Sequence, residues 1–245
     1  MIYIVLGGSR AGKTTFTMNT FLRCESSEYR DLITLTETET AVLFGTYRSD
    51  DRRKGTDTTN RKDILVYFDQ IEKLKDKKKD IVLEGTRVSG KLLQQLVVAG
   101  YDVQLIWIKA SPNKILERNR NAGNTQTTHH FIAEVTKAQY AFWRYALLCN
   151  GVIYDTDSIN EPEEWENFDI NSPRIEVNER LWFSEFRNFC LKSDTVNSSE
   201  DFATCFVNVI QYPSFVRVYG TEKGYKRIPT KSASFPELIS ERWKK

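Results

Sequence analysis

Hydrophobic positions along the chain follow two rhythms. Short, mostly β-branched runs occur at Ile2–Leu6 (IYIVL), Leu32–Leu35, Ile81–Leu83, Val103–Ile108 and Gly151–Tyr154. Runs this short and this apolar predict buried strands of a parallel sheet. Between them the apolar residues fall at helical spacing. Phe16, Phe21 and Leu22 mark Lys13–Cys24, and the same period returns in Ile64–Leu74 and Val88–Ala99, which Gly100 ends as a C-cap. Ser111–Pro112 is a helix start, a cap followed by proline in the first turn, and that helix is predicted to run to about Arg120. A polar break, Asn121–Thr128, precedes a long helix to about Leu148. Thr36–Asn60 is polar and is predicted to be mostly loop. Strand and helix alternate at least four times. The expected fold is therefore α/β: three layers, with a doubly wound, mostly parallel sheet between helices on both faces.

The rhythm stops after Tyr154. Asp155–Asp169 holds seven carboxylates and no Lys or Arg. It is predicted to be a solvated acidic helix or linker, over about residues 158–172. From residue 173 to 245 the chain gains aromatics (Trp182, Phe183, Phe186, Phe189, Tyr212, Phe215, Tyr219, Tyr225 and Trp243), and its last forty residues are basic. This part is expected to be an accessory C-terminal α+β extension on a core of residues 1–157. Most of its aromatics are expected to form its own core.

Composition narrows the picture a little. Of the 245 residues, 40% are hydrophobic and 28% charged, as in ordinary soluble domains. A net charge of +2 is too small to argue for nucleic acid by itself. The four cysteines stand far apart without CxxC pairing, so neither a zinc site nor a disulfide framework is expected, and a reducing cytoplasm fits best. No apolar run is long enough to span a membrane, and MIYIVLGGSR lacks the basic leader of a signal peptide.

The chemistry begins at Gly7-Gly8-Ser9-Arg10-Ala11-Gly12-Lys13-Thr14-Thr15. It matches G-x-x-x-x-G-K-[ST] in full, after a strand and before a helix. Small residues let backbone N–H groups converge as an anion nest at the start of a helix, where the dipole also favours negative charge. Lys13 is expected to reach the β- and γ-phosphates, and the Thr14 hydroxyl to ligate Mg²⁺. The pattern predicts ATP and Mg²⁺ as cofactors.

Asp80–Glu84 (DIVLE) is an apolar strand ending in a carboxylate. Ligands in open α/β sheets lie outside the carboxyl ends of the strands, so Glu84 is a candidate metal or catalytic residue rather than a surface glutamate. Arg87 follows as a candidate anion contact. The segment from Gly45 to Asn60 (GTYRSDDRRKGTDTTN) offers Tyr47, Arg48, Arg53 and Asp57 as acceptor contacts. Asp57 is a candidate proton acceptor or a plain helix cap. Arg48, Arg52, Arg53 and Lys54 form a basic cluster, either a solvated loop or phosphate contacts. Arg118 and Arg120 close a helix before the polar break, in a lid-like region of about residues 114–128; lids of this kind bring cations to a transferring phosphoryl group.

Taken together, GGSRAGKTT, EGTR after a later strand and the arginine pair resemble the nucleotide and nucleoside kinase branch of P-loop proteins, the thymidylate-kinase-like fold. The block GTYRSDDRRKGTDTT further resembles the phage P-loop kinases that phosphorylate 5-hydroxymethyluracil within DNA. The resemblance covers roughly residues 1–157. It implies a P-loop kinase-type fold, ATP bound at Gly7–Thr14, and phosphoryl transfer to a hydroxymethyl group on a pyrimidine in DNA, a step in thymine hypermodification. One departure stands out: where thymidylate kinases carry an Asp-Arg pair, this chain has Glu84-Gly85-Thr86-Arg87. Two carboxylates, Asp57 and Glu84, favour a hydroxyl acceptor, which gains from a base, over a monophosphate, which needs cations more. A small-molecule nucleoside or nucleoside monophosphate kinase, or a P-loop ATPase module with a protein partner, are the alternatives.

Overall fold

The computed structural model describes residues 1–47, 54–59, 64–85, 88, 90–123, 128–182 and 184–185. Among these, the strands are β1 (Ile2–Leu6), β2 (Ser27–Arg30), β3 (Thr34–Glu37), β4 (Ala41–Phe44), β5 (Asp80–Glu84), β6 (Val103–Lys109), β7 (Val152–Asp155) and β8 (Ile175–Glu176). The α-helices are α1 (Lys13–Phe21), α2 (Ile64–Leu74), α3 (Gly90–Val98), α4 (Pro112–Asn121), α5 (Thr128–Tyr145) and α6 (Pro162–Glu166). One sheet holds all eight strands in the order β2-β3-β4-β5-β1-β6-β7-β8. Its middle five strands, β4, β5, β1, β6 and β7, run parallel. The antiparallel hairpin β2–β3 extends one edge, and β8 lies antiparallel to β7 at the other.

The run IYIVL becomes the central strand because both of its faces are covered. Ile2, Ile4 and Leu6 point into one core with Tyr67 and Ile71 of α2, Leu92, Leu93 and Leu96 of α3 and Phe142 of α5. Val5 points the other way, toward Phe16 of α1, Ile115 of α4, Tyr154 and Phe168. Helices thus lie on both faces, and the chain is α/β with a mostly parallel sheet. After β1 the chain crosses toward β4, while after β6 it goes to β7 on the opposite side. The strands β1 and β6 are neighbours, so the carboxyl ends of β1 and β6 form the crevice where an open α/β sheet binds ligands.

The structure corrects the sequence-based expectation for residues 32–60. The strand expected at Leu32–Leu35 appears two residues on, as β3, and two further strands join it: β2, just before this stretch, and β4, within it. Two of the three, the edge strand SEYR and its neighbour TLTE, are mostly polar and have no long apolar run. The third, β4 (AVLF), is entirely buried and lies inside the stretch expected to be loop. Its four residues are flanked by Thr38-Glu39-Thr40 and Gly45, and that polar company masks it.

Residues 158–172, read as a linker, pack on the core. The helix α6 is short and closed by a capping box between Glu161 and Glu164. Its carboxylates face solvent while Trp165 and Phe168 turn inward. Phe168 is buried against Phe16, with ring centroids 5.5 Å apart. Asn19 of α1 donates to the backbone carbonyls of Trp165 and Phe168 at 2.8 and 3.0 Å, and Arg23 pairs with Asp169 at 2.8 Å. Beyond it, β8 joins the sheet, and the indole N–H of buried Trp182 donates to the carbonyl of Trp143. Residues 186–245, most of the expected extension, lie outside the described residues.

Candidate functional site

Residues 7–12 turn over the carboxyl end of β1 and lead directly into α1. Gly12 caps the helix at φ +102°, a left-handed conformation that disfavours any side chain. A Cβ there would also stand 2.4 Å from the Trp165 ring, so the indole lies directly on the loop. Ala11 is buried, and Lys13 is nearly so, with Nζ folded back onto the Gly8 carbonyl at 2.8 Å.

In the sheet Val5 is in register with Glu84 on the adjacent parallel strand β5. This register carries the carboxylate of Glu84 to the first turn of α1, where the Thr14 hydroxyl donates to Glu84 Oε1 at 2.7 Å. Two motifs seventy residues apart in sequence therefore meet by one hydrogen bond. Glu84 is buried, and its second oxygen, Oε2, makes no hydrogen bond among the described residues. Burial pushes its carboxyl above the ordinary value. The Lys13 charge and the hydroxyls of Thr14 and Tyr47 oppose the rise, and the charge of Asp57 adds to it.

The Gly55–Thr59 block folds onto this carboxylate. Thr56, fully buried, donates to the Glu84 carbonyl at 2.8 Å, and Thr58 donates to the Gly55 carbonyl while accepting from the Thr46 N–H, both at 2.8 Å. Thr59 donates to the Thr56 carbonyl at 2.7 Å and also bonds the Tyr67 hydroxyl. The threonines thus fix the loop, and Asp57 Oδ1 lies 3.8 Å from where a Cβ on Gly85 would stand, its charge acting on Glu84 and Tyr47. Gly55 adopts φ 63°, ψ −147°, a region open essentially to glycine alone. A Cβ on it would stand 3.0 Å from Glu84 Oε2 and 3.1 Å from the Tyr47 hydroxyl. Burial, then the Glu84 charge, push the Tyr47 phenol well above its ordinary value, so it stays a neutral donor. Its oxygen, like Glu84 Oε2, is buried without a hydrogen bond in good geometry. The phenol and the carboxylate oxygen thus lie together over Gly55.

These atoms fit a hard cation. Mg²⁺ takes one or two carboxylates and hydroxyl or water oxygens in preference to a full protein cage. The Thr14 hydroxyl and the orphaned oxygen of Glu84 are donors of that type, next to the anion nest.

Sequence reasoning placed Lys13, Thr14, Tyr47, Asp57 and Glu84, and the structure brings these five together. It gives Arg118 a different setting from a lid arginine. The guanidinium donates to Thr156 Oγ1 at 3.1 Å, to the Ile159 carbonyl at 3.2 Å, to the Arg10 carbonyl at 3.4 Å and to the Thr156 carbonyl. It also lies 4.8 Å from the centroid of the Trp165 ring. Arg118 thus braces the phosphate loop against the turn after β7. Arg120 is exposed. Arg48, Arg53 and Arg87 lie outside the described residues.

Three residues escaped the sequence reading. Thr156, buried just past β7, donates to the Ala11 carbonyl at 3.0 Å. Trp165 covers Gly12; a lone indole in an acidic run was its signal. Glu134 of α5 accepts a hydrogen bond from the Ser9 N–H at 3.2 Å, and no local pattern marks it. Near it, Leu6, Gly7, Gly85, Val88, Ala138 and Ala141 line a small, mostly apolar cleft. Together the elements place a glycine-rich turn, the Thr14–Glu84 contact, a second carboxylate at Glu134 and an apolar recess side by side. No protein-family model matches the chain, and comparisons with curated proteins and with solved structures give no significant match.

Proposed function

We propose that the chain is an ATP- and Mg²⁺-dependent kinase that phosphorylates a hydroxyl, the hydroxymethyl group of a modified pyrimidine (5-hydroxymethyluracil) in DNA. The observation that carries the kinase reading is the 2.7 Å contact between Thr14 and the buried, half-satisfied Glu84 at the mouth of the phosphate loop. Backbone N–H groups of residues 8–13 and the start of α1 receive the phosphates, and Lys13 turns from the Gly8 carbonyl to neutralise them. Thr14 and Glu84 would hold the metal, which when bound would supply charge neutralisation at the transferring phosphoryl group. Asp57 takes the proton of the acceptor hydroxyl as its oxygen bonds to the γ-phosphorus. The bond to the bridging oxygen breaks, and ADP departs with that electron pair. Tyr47, kept neutral, orients the acceptor or the carboxylates by donating its proton in a hydrogen bond.

The DNA part of the reading rests on the resemblance of GTYRSDDRRKGTDTT and on the basic loop and tail. A base in duplex DNA has to leave the stack to reach the site. The net charge of +2 favours the second reading, a kinase for a free nucleoside or nucleotide, which would use the same donor residues. The test is Lys13→Ala with γ-labelled ATP: transfer to any acceptor is lost while the fold persists. Transfer at the wild-type rate would remove the phosphate loop from the reaction.

A further inference from the structure

The phosphate nest is already engaged by an anion that belongs to the protein. The Ser9 N–H donates to Glu134 Oε2 at 3.2 Å, although the two residues lie 125 positions apart. The next residue, Val135, presses on the same loop: a Cβ on Gly8 would stand 2.6 Å from Val135 Cγ2 and 3.6 Å from its Cα. A helix thus meets the loop with a carboxylate and a methyl group at the place where a phosphate chain has to lie. Glu134, Ala138 and Ala141 follow one another along a single face of α5, and that face forms one wall of the recess beside Gly7, Gly85 and Val88. The recess, as it stands, has room for about one water-sized group.

We infer that Glu134 is an internal phosphate mimic, and that α5 couples the donor nest to the acceptor recess. This rests on the nucleotide-binding reading above. A carboxylate and a phosphate compete for the same N–H donors, and two anions cannot share the nest. A bound triphosphate therefore displaces Glu134 and pushes the first turns of α5 away from the loop. Because the same helix face walls the recess, that movement widens it. Nucleotide binds first and opens the place for the acceptor, and without nucleotide the acceptor site stays closed. The Glu134 contact costs the protein some nucleotide affinity and in return ties acceptor access to a loaded donor site.

The test uses the full chain, Mg²⁺ and the β,γ-imido analogue of ATP. Binding is measured by calorimetry for the wild type, Glu134→Gln and Glu117→Gln. Glu117 is exposed on α4 and paired with Lys114, and its substitution controls for the loss of one negative charge. Amide exchange over residues 128–145 is followed in the same samples. Glu134→Gln is expected to bind the analogue about three- to tenfold more tightly, with Glu117→Gln unchanged. The analogue is expected to speed exchange in the first turns of wild-type α5. In Glu134→Gln the amide oxygen can still accept from the Ser9 N–H but carries no charge, so exchange there is expected to respond less to the analogue. Equal affinity for wild type and Glu134→Gln, equal gains in both variants, or weaker binding by a folded Glu134→Gln would each overturn the inference. Absence of binding by both the wild type and Glu134→Gln would instead sink the nucleotide-binding reading, and the inference with it.

Discussion

Replacing Glu84 by Gln separates what this carboxylate does for function from what it costs the fold. The side chain is 3% exposed, and one oxygen has no hydrogen-bond donor among the described residues. Leaving a buried acceptor unsatisfied costs about 1–3 kcal/mol, and more where it is charged. The Lys13 charge offsets part of this, but the carboxyl still lies above its ordinary value of 4.5, so the ionised form is the disfavoured one in the fold. Glutamine keeps Oε1 as the acceptor for Thr14, and its amide can donate to the Tyr47 hydroxyl. The net gain is about 1 kcal/mol, or about 2–4 °C in Tm for a chain of this size. A carboxyl raised in the folded state stabilises the protein fully only below its unfolded value, and that stability is lost as pH rises through the folded value. The advantage of Glu84→Gln is therefore largest at neutral pH and shrinks on acidification, as the wild type protonates itself. The assay is thermal unfolding of both proteins without ligand from pH 7.5 downward. Added Mg²⁺ and ATP analogue should then raise the Tm of the wild type but give no metal-dependent increment in the variant, and transfer should fall by about a hundredfold or more. A less stable Glu84→Gln, or a stability difference that ignores pH, would refute the claim that this carboxylate is a strained metal ligand.

Two further substitutions address the acceptor side. Asp57→Asn should keep affinity for the ATP analogue, measured by calorimetry, while transfer falls by about 10²–10⁴-fold; unchanged turnover would take Asp57 out of the base role. Gly55→Ala should lose about 1–3 kcal/mol in denaturant unfolding, because the new Cβ has to occupy a glycine-only conformation against Glu84 Oε2 and Tyr47.

The glycine-rich turn before α1 was legible in the sequence because its parts are contiguous. The residues of GGSRAGKTT act as a local unit, so the spacing of glycines, Lys13 and Thr14 carries the geometry with it. DIVLE was legible for a similar reason, since an apolar strand with a terminal carboxylate presents that carboxylate at the strand's end. The pairing of the two depends on β1 lying beside β5, which the α/β alternation implied without giving the register. β2 stayed hidden because an edge strand needs no apolar run, β3 was anticipated two residues early at Leu32–Leu35, and β4 stayed hidden because four buried residues stand among threonines. Glu134, Thr156 and Trp165 come to the loop only through tertiary packing, from α5, the turn after β7 and α6. No periodicity in their own neighbourhoods encodes that approach. Arg118 was expected in a lid, but its observed partners, the carbonyls of Thr156 and Ile159 and the Trp165 ring, belong to a segment that composition alone rendered as acidic.

The central claim is phosphoryl transfer from ATP to a hydroxymethyl pyrimidine in DNA. It is tested most directly by incubating the full chain with γ-labelled ATP and Mg²⁺ against DNA containing 5-hydroxymethyluracil, ordinary DNA, the free nucleoside and free nucleoside monophosphates. Label in the modified DNA, absent from ordinary DNA and abolished by Lys13→Ala, is the predicted result. Label confined to the free nucleoside or monophosphates would contradict the DNA acceptor, and hydrolysis of ATP with no labelled acceptor of any kind would contradict the kinase itself.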